Sequence, residues 1–259
     1  MMLKISLVTV VYNRARTIER TLQSVFAQSY PQIEYIVVDG ASTDGTLEII
    51  QQYRSKIACI LSEPDKGVYD ALNKGICIAT GDIIGILHAD DIFAHSDILT
   101  QVADTFNQNK LIDCIFGDVA FVRDTKPNKI FRYYSSSIFR PARFKLGIMP
   151  AHPSFYCYKK YFDELGLYRT DLEITSDFDL LIRFLYKHQL RYLYLPQLMV
   201  IMNLGGKSTS GPASTVKINR ENRKVLKENG IRSSYLYLYA RYFIKIRELF
   251  IKKSLPQTY

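Results

Sequence analysis

Apolar, β-branched runs at residues 3–11, 33–38, 57–61 and 83–87 impose the tightest limit on how this chain folds. A strand wet on one face alternates polar and apolar residues, whereas a strand covered on both faces reads as a run. Between the runs lie stretches of helical period: 17–28, with Ile18, Leu22, Val25 and Phe26; 44–53, with Leu47, Ile49 and Ile50; and 68–79. Such alternation gives right-handed crossovers and a doubly wound α/β sheet, mostly parallel, with helices on both faces. Ligands of these sheets bind beyond the carboxyl ends of the strands. Polar residues gather at those ends. Tyr12-Asn13-Arg14 follows the first run, Asp39 to Gly45 the second, Ser62 to Gly67 the third, and His88-Ala89-Asp90-Asp91 the fourth.

After a helix at 97–108 the pattern loosens. Residues 111–123 and 129–134 read as strands, and 135–150 as an irregular loop long enough to carry function. A short strand at 154–158, a helix at 176–188 and strands at 191–195 and 198–204, parted by Pro196, follow. Helices at 214–228 and 234–253 close the chain. The expected organisation is one domain over 1–212, with halves 1–95 and 96–212, and a basic, aromatic helical extension over 213–259.

With 47% hydrophobic residues among 259, the chain can bury a real core. Its net charge of +9 is concentrated at one end: residues 217–259 hold eleven Lys or Arg against three Glu. A uniformly basic nucleic-acid-binding surface is therefore excluded, and an anionic lipid or acidic partner fits the tail better. Within it, Arg241, Lys245, Glu248 and Lys252 share a helical face, while Tyr235, Leu238, Tyr242, Ile246 and Leu249 crowd the rest. An interfacial helix on an anionic bilayer fits this pattern, as do a helix packed on the domain and a homodimer contact. The uncharged stretch 192–206 is shorter than the ~20 apolar residues of a membrane span. Met-Met-Leu-Lys at the start lacks a signal-peptide layout. Cys59, Cys77, Cys114 and Cys157 form no CxxC pair and read as reduced core residues of a cytoplasmic protein.

Adjacent carboxylates at Asp90 and Asp91 repel unless a cation sits between or beside them. Mg2+ and Mn2+ accept one or two carboxylates and complete their shells with phosphate oxygens and water. The competing reading is a helix N-cap ahead of Ile92 and Phe93. Asp39 ends an apolar strand at the ligand edge, where a carboxylate can accept hydrogen bonds from a base or ribose. Asp44 reads as the cap of the next helix. No GxGxxG and no GxxxxGK[ST] occurs, which disfavours a dinucleotide fingerprint and a P-loop.

Four motifs in order carry a resemblance: Thr9-Val10-Val11-Tyr12-Asn13; Val37 to Thr46; Ser62-Glu63-Pro64-Asp65-Lys66-Gly67 continuing to Gly75; and Gly81-Asp82 leading to His88-Ala89-Asp90-Asp91. Over residues 3–95, and more weakly to about 210, the chain resembles a family 2 bacterial glycosyltransferase of the GT-A (Rossmann-like) fold. The resemblance implies that 1–95 binds the nucleotide and 96–212 the acceptor. By it, Asp39 reads the base, with Thr9, Val11 and Asn13 lining its pocket. Asp65, Lys66 and Gly67 border the nucleotide, Asp70 and Asn73 form the pocket floor, Asp90 touches the ribose, and Asp91 binds Mn2+ or Mg2+ bridging the diphosphate. His88 stands where the family often has another Asp, either as a metal ligand or as a pocket wall.

Inverting transfer needs one base to deprotonate the acceptor hydroxyl. The family carries an acid before a helix near 176–177, commonly as Glu-Asp. Here Ser176 replaces the first acid and Asp177 matches the second, so Asp177 is the candidate base, with a plain helix cap as the alternative. Asp179 reads as structural. His152 borders the acceptor region by resemblance, and Lys207 in Gly205-Gly206-Lys207-Ser208 falls in a loop that closes over the diphosphate in relatives. The implied activity is inverting transfer of a hexose from a UDP-sugar to a lipid-linked saccharide acceptor, at the inner face of the plasma membrane, in O-antigen, capsule or colanic-acid-type polysaccharide synthesis. The alternatives are a sugar-nucleotide nucleotidyltransferase, whose glycine-rich loop is missing after the first strand, and a non-catalytic nucleotide-sugar-binding scaffold.

Overall fold

A computed structural model of the chain describes residues 2–123, 129–204 and 212–246. Strands β1 (Ile5–Val11), β2 (Ile33–Asp39), β3 (Cys59–Ser62) and β4 (Ile83–Ile86) run parallel in the order β3-β2-β1-β4. Helices α1 (Ile18–Phe26), α2 (Thr46–Gln52) and α3 (Val68–Ile78) connect them. Along β1 the side chains divide by face. Ile5, Leu7 and Val11 join a core with α1 and with α4 (Ile98–Gln108), while Val8 and Val10 join a second core with α3. Each fully buried side chain of this kind contributes roughly 1.5–3 kcal/mol, so covering both faces is what makes the strands read as runs. Gly75 marks the closest approach of α3, since a Cβ there would lie 2.4 Å from Val8 Cγ1.

The sheet continues past β4 through β8 (Tyr156–Tyr158), β6 (Cys114–Val122), β9 (Tyr192–Asn203) and β5 (Ile92–Phe93), with β7 (Arg132–Tyr134) paired to β6. Among the described residues it has nine strands. β8 is antiparallel to β4 and β6, whereas β9 runs parallel to β6. Helix α6 (Ser176–Ile182) packs in the core that also holds α3, and α7 (Pro212–Glu228) closes over it, contributing Val225 and Leu226. Helix α8 (Tyr235–Ile246) follows.

Several sequence expectations are corrected here. The strands expected either side of Pro196 are one strand, β9, whose register against β6 slips between Phe116 and Asp118; the irregularity lets an exposed Pro196 sit in the strand without a ladder N–H. Ile92 and Phe93 open no helix but form β5, which removes the N-cap reading of Asp91. The loop 135–150 contains a 3-10 turn, Pro141–Leu146, and helix 176–188 finishes as a π turn, Arg183–Lys187. Helix α5 (Lys159–Leu165) follows β8 directly, and Phe162 is its buried residue. Cys77 is exposed rather than in the core; Cys114 and Cys157 are buried and face each other across β6 and β8.

Arg241 is corrected as well. It is 4% exposed, and donates to the Gly147 carbonyl at 3.1 Å and to Asn219 Oδ1 at 2.7 Å. The outer surface of α8 is instead apolar and aromatic, with Leu236 80% and Phe243 77% exposed. The side chains of Lys245 and Ile246, and all of Glu248, Leu249 and Lys252, lie outside the described residues.

Candidate functional site

The carboxyl ends of β1 to β4 open onto one edge, and their loops are braced against one another. Asp39 is fully buried at the end of β2. Its Oδ2 accepts from the Ser42 N–H at 3.1 Å and the Ser62 hydroxyl at 2.7 Å, while its Oδ1 has no partner. A buried acceptor left unmatched costs about 1–3 kcal/mol, so this oxygen is an invitation to an N–H or O–H from a ligand. Asn13 holds the facing loop. It adopts φ +52°, its N–H donates to Ser42 Oγ at 2.8 Å, and its Oδ1 accepts from the Thr43 N–H at 2.9 Å. Ala41 also has positive φ, +61°, an unfavoured state for a residue with a Cβ. Two left-handed residues beside Asp39 mark a loop whose shape is imposed by its surroundings.

Asp65 turns onto the same spot. Its Oδ1 accepts from the Gly67 N–H at 2.7 Å, and its Oδ2 packs where a side chain on Gly40 would lie, 2.4 Å from an ideal Cβ. Tyr12 borders Gly40 from the other side and is 58% exposed. Asp39, Asp65, Asn13 and Tyr12 thus surround one slot floored by backbone. Val11, whose register partner is Asp39, backs it. Thr9 is not brought to this slot. It lies two residues back along β1, is fully buried, and accepts from the Tyr35 hydroxyl at 3.1 Å. Lys66 is exposed at the rim, and its N–H donates to Asp70 Oδ2 at 3.0 Å. Asp70 therefore caps the start of α3 rather than flooring a pocket. Asn73 is likewise drawn elsewhere. Its amide donates to the Tyr168 carbonyl at 2.8 Å and accepts from the Tyr168 N–H at 2.9 Å.

The adjacent acids differ sharply. Asp90 is held at both oxygens, by the Thr17 hydroxyl at 2.6 Å and by Arg14 Nε at 2.9 Å. Asp91 is 3% exposed, and its Oδ2 is unmatched. Burial, reinforced by the Asp90 charge, drives its carboxyl well above the usual range, and the Asn203 backbone N–H offsets this only in part. Asn203 Oδ1 is itself buried and unmatched. Two hard oxygens without partners, one of them a carboxylate that burial strains towards neutrality, fit a divalent cation whose remaining sites go to phosphate oxygens and water. Among the described residues no group of three or more His, Cys, Asp or Glu gathers around a metal position. Such an ion would therefore depend on its ligand for much of its shell. His88 is held neutral by burial, its ring centroid 6.3 Å from that of His152.

In the second half of the chain, Asp177 lies in the first turn of α6 and accepts from the Phe178 N–H at 2.7 Å. Burial raises its carboxyl to about 6, against the opposing pull of the hydrogen bond from the Phe178 N–H. A carboxylate with that affinity is poised to take a proton near neutral pH. Beside it, the Tyr69 hydroxyl donates to the Ile174 carbonyl at 2.5 Å, and its ring stacks on Tyr168 with centroids 5.7 Å apart. The Tyr168 hydroxyl meets His152 Nε2 at 2.7 Å. His152 is buried in the turn His152–Ser154, and burial lowers its pKa to about 3. It is thus a neutral packing and hydrogen-bonding group. Asp179 is buried and bonded to Arg183 Nε at 2.8 Å, as a structural residue should be. Lys207 lies outside the described residues.

Sequence reasoning missed Arg14, Thr17, Ser42, Ser62, Tyr69 and Asn203. Arg14 and Ser62 stood inside the polar strand ends. Tyr69 stood inside the motif that runs to Gly75, but its partner lies 105 residues away, and Asn203, 112 residues from Asp91, carried no signal.

The sequence model of the family described as Glycosyl transferase family 2 matches residues 6–166. A PGL/p-HBAD biosynthesis glycosyltransferase of Mycobacterium bovis is 30% identical over 181 residues, spanning 69% of this chain and 68% of that one. Among solved structures, Staphylococcus aureus TarS 1-349 in complex with UDP-GlcNAc superposes with a TM-score of 0.66 at 18% identity, covering 86% of this chain and 66% of that one. Against the longer TarS chain the coverage is 42% of its length. The mannosyltransferase PcManGT of Pyrobaculum calidifontis, in complex with GDP-Man and Mn2+, gives 0.64 at 20% identity, covering 94% and 70%. At these identities the structures speak to the fold, which is GT-A.

Proposed function

The chain belongs to glycosyl transferase family 2, and from that premise we propose that it moves a hexose from a UDP-sugar to a saccharide acceptor with inversion at the anomeric carbon. The carrying observation is the pair of buried, unmatched carboxylate oxygens on Asp39, at the end of β2, and Asp91, past the end of β4, two strands that flank β1. Family membership makes the protein a glycosyltransferase and sets aside the nucleotidyltransferase and scaffold alternatives. In the proposed complex Asp39 Oδ1 accepts from the base, Asn13, Asp65 and Tyr12 shape the slot, and Asp90 meets the ribose. TarS and PcManGT were solved with a nucleotide sugar, which supports a donor of this class. Asp91, with Asn203 beside it, would hold Mn2+ or Mg2+, and the ion when bound supplies positive charge for the leaving diphosphate.

Asp177 acts as the base. It takes the proton of the acceptor hydroxyl while that oxygen attacks the anomeric carbon from the face opposite the diphosphate. The bond to the diphosphate breaks with its electron pair on the leaving oxygen, so a single displacement inverts the centre. An acceptor carried on a lipid, in surface polysaccharide synthesis, suits the surface of the extension. Leu236, Tyr239 and Phe243 are exposed on α8, and Arg223 of α7 lies over the ring of Tyr235, also on α8, a pairing of apolar surface and cation suited to the anionic inner face of the plasma membrane. No described helix is long and apolar enough to cross a membrane.

UDP release from a panel of UDP-hexoses and their N-acetyl forms, with and without Mn2+, tests the reaction. No metal-dependent turnover with any donor would sink it. Flotation with vesicles rich in anionic lipid tests the surface, with Phe243→Ser expected to weaken capture. Capture unchanged by that variant, together with a dimer in sedimentation, would assign the face to a second copy.

A further inference from the structure

Helix α7 reaches back to the loop that delivers Asp177. Glu221 Oε1 accepts from the Glu173 N–H at 3.3 Å. Its Oε2 accepts from the Ile174 N–H at 3.0 Å, the Thr175 N–H at 3.1 Å and the Thr175 hydroxyl at 3.1 Å. Three successive backbone donors and one side-chain donor thus converge on one carboxylate. They lie immediately ahead of α6, whose N-cap is Thr175, at the end where the helix dipole favours a negative charge. The Tyr69 hydroxyl takes the Ile174 carbonyl from the opposite side at 2.5 Å. The segment before Thr175 is therefore gripped at N–H and C=O by α7 and α3, two elements remote from it in the chain. Asp177 follows two residues later.

We infer that Glu221 is a positioning residue for the acceptor-activating carboxylate, so that the extension helps build the site as well as flanking it. The inference rests on the reading of Asp177 as the base. Glu221 touches no reacting atom; it fixes the segment 173–175 and, through it, where Asp177 points. A displacement of about 1 Å at such a group can lower turnover by about 10²-fold. The titratable groups facing Asp177 are Tyr69 from α3, Tyr168 from the preceding loop and Glu221 from α7. Of these, Glu221 carries a like charge, which raises the proton affinity of Asp177.

The test is UDP release by the full chain from the donor selected by the panel, with water as acceptor where no saccharide turns over. Glu221→Ala should lower kcat about 10- to 100-fold while donor KM stays within about twofold, because the nucleotide slot lies in the other half. Glu221→Gln keeps one carbonyl oxygen for the loop donors but loses the charge. It should retain most of kcat at neutral pH and move the acid limb of the kcat profile to lower pH. A purely structural dock of α7 would lower the thermal midpoint and leave both kcat per folded molecule and that limb where they were, which would overturn the proposal. If the Ala variant does not fold, the limb in the Gln variant decides alone. Full turnover by Asp177→Asn would instead remove the base reading, whatever the Glu221 variants show.

Discussion

Asp39 and Asp90 are held by residues of their own half: Ser42, Ser62, Thr17 and Arg14 all lie within the first 95 positions. Asp177 stands on a segment fixed by Tyr69 from the first half and Glu221 from the extension. The proposed donor side is therefore built by strand ends, whose positions follow from the sheet. The proposed acceptor side is built by long-range clasps onto a helix start, and each clasp can be lost separately.

Asp177→Asn makes the sharpest separation of the two sides. It should lower kcat by about 10²–10⁴-fold, the usual worth of a general base, with donor affinity by calorimetry unchanged. In the unaltered protein the ionised carboxylate is the active form. Turnover should therefore fall as pH drops through about 6 and hold above it, since burial raises this carboxyl to about 6. A limb near 4 would mean that Asp177 opens to water in the working complex.

Chelation of divalent metal, or Asp91→Asn, should lower turnover about 10²-fold. Mn2+ should restore the chelated protein but not the variant. Restoration of Asp91→Asn by metal would move the ion to other ligands. Asp39→Asn presents an amide where an acceptor is needed, and should weaken donor binding about 10-fold with kcat nearly intact. If instead kcat fell and binding held, Asp39 would act on the reacting end, and the division between the sides would fail. Asn73→Ala gives the smallest change: loss of the Tyr168 clasp should cost about 1–2 kcal/mol, read as a thermal midpoint lower by about 2–8 °C, with donor affinity unaltered.

The first half was readable because its chemistry sits where periodicity ends. Runs such as 33–38 stop at Asp39, and a reader who knows that ligands gather at strand ends arrives at the slot. Two members of that set were misassigned for a common reason. Thr9 and Asn73 lie near the slot in sequence, yet one faces Tyr35 in the core and the other faces Tyr168. Direction along a strand or helix, not proximity, decides which side chain reaches a ligand. The second half was harder. β5 has two residues, too few for any period, α5 buries Phe162 alone, and Pro196 concealed the continuity of β9. The residues that fix the segment ahead of Asp177 come from positions 69 and 221, which no local pattern can connect.

The Asn73–Tyr168 contact has a consequence for hybrid enzymes. Asn73 lies inside the region matched by the family, residues 6–166, and Tyr168 lies two positions beyond it. A side-chain amide here plays the part of a neighbouring strand, offering one donor and one acceptor to the backbone of a single residue. A crossover placed at the matched region's end would separate that amide from the backbone it completes. Exchanging acceptor segments between relatives should therefore succeed when the junction falls before residue 73 or when the incoming segment presents a free peptide at the same height. Elsewhere the hybrid would keep its nucleotide slot and misplace its base.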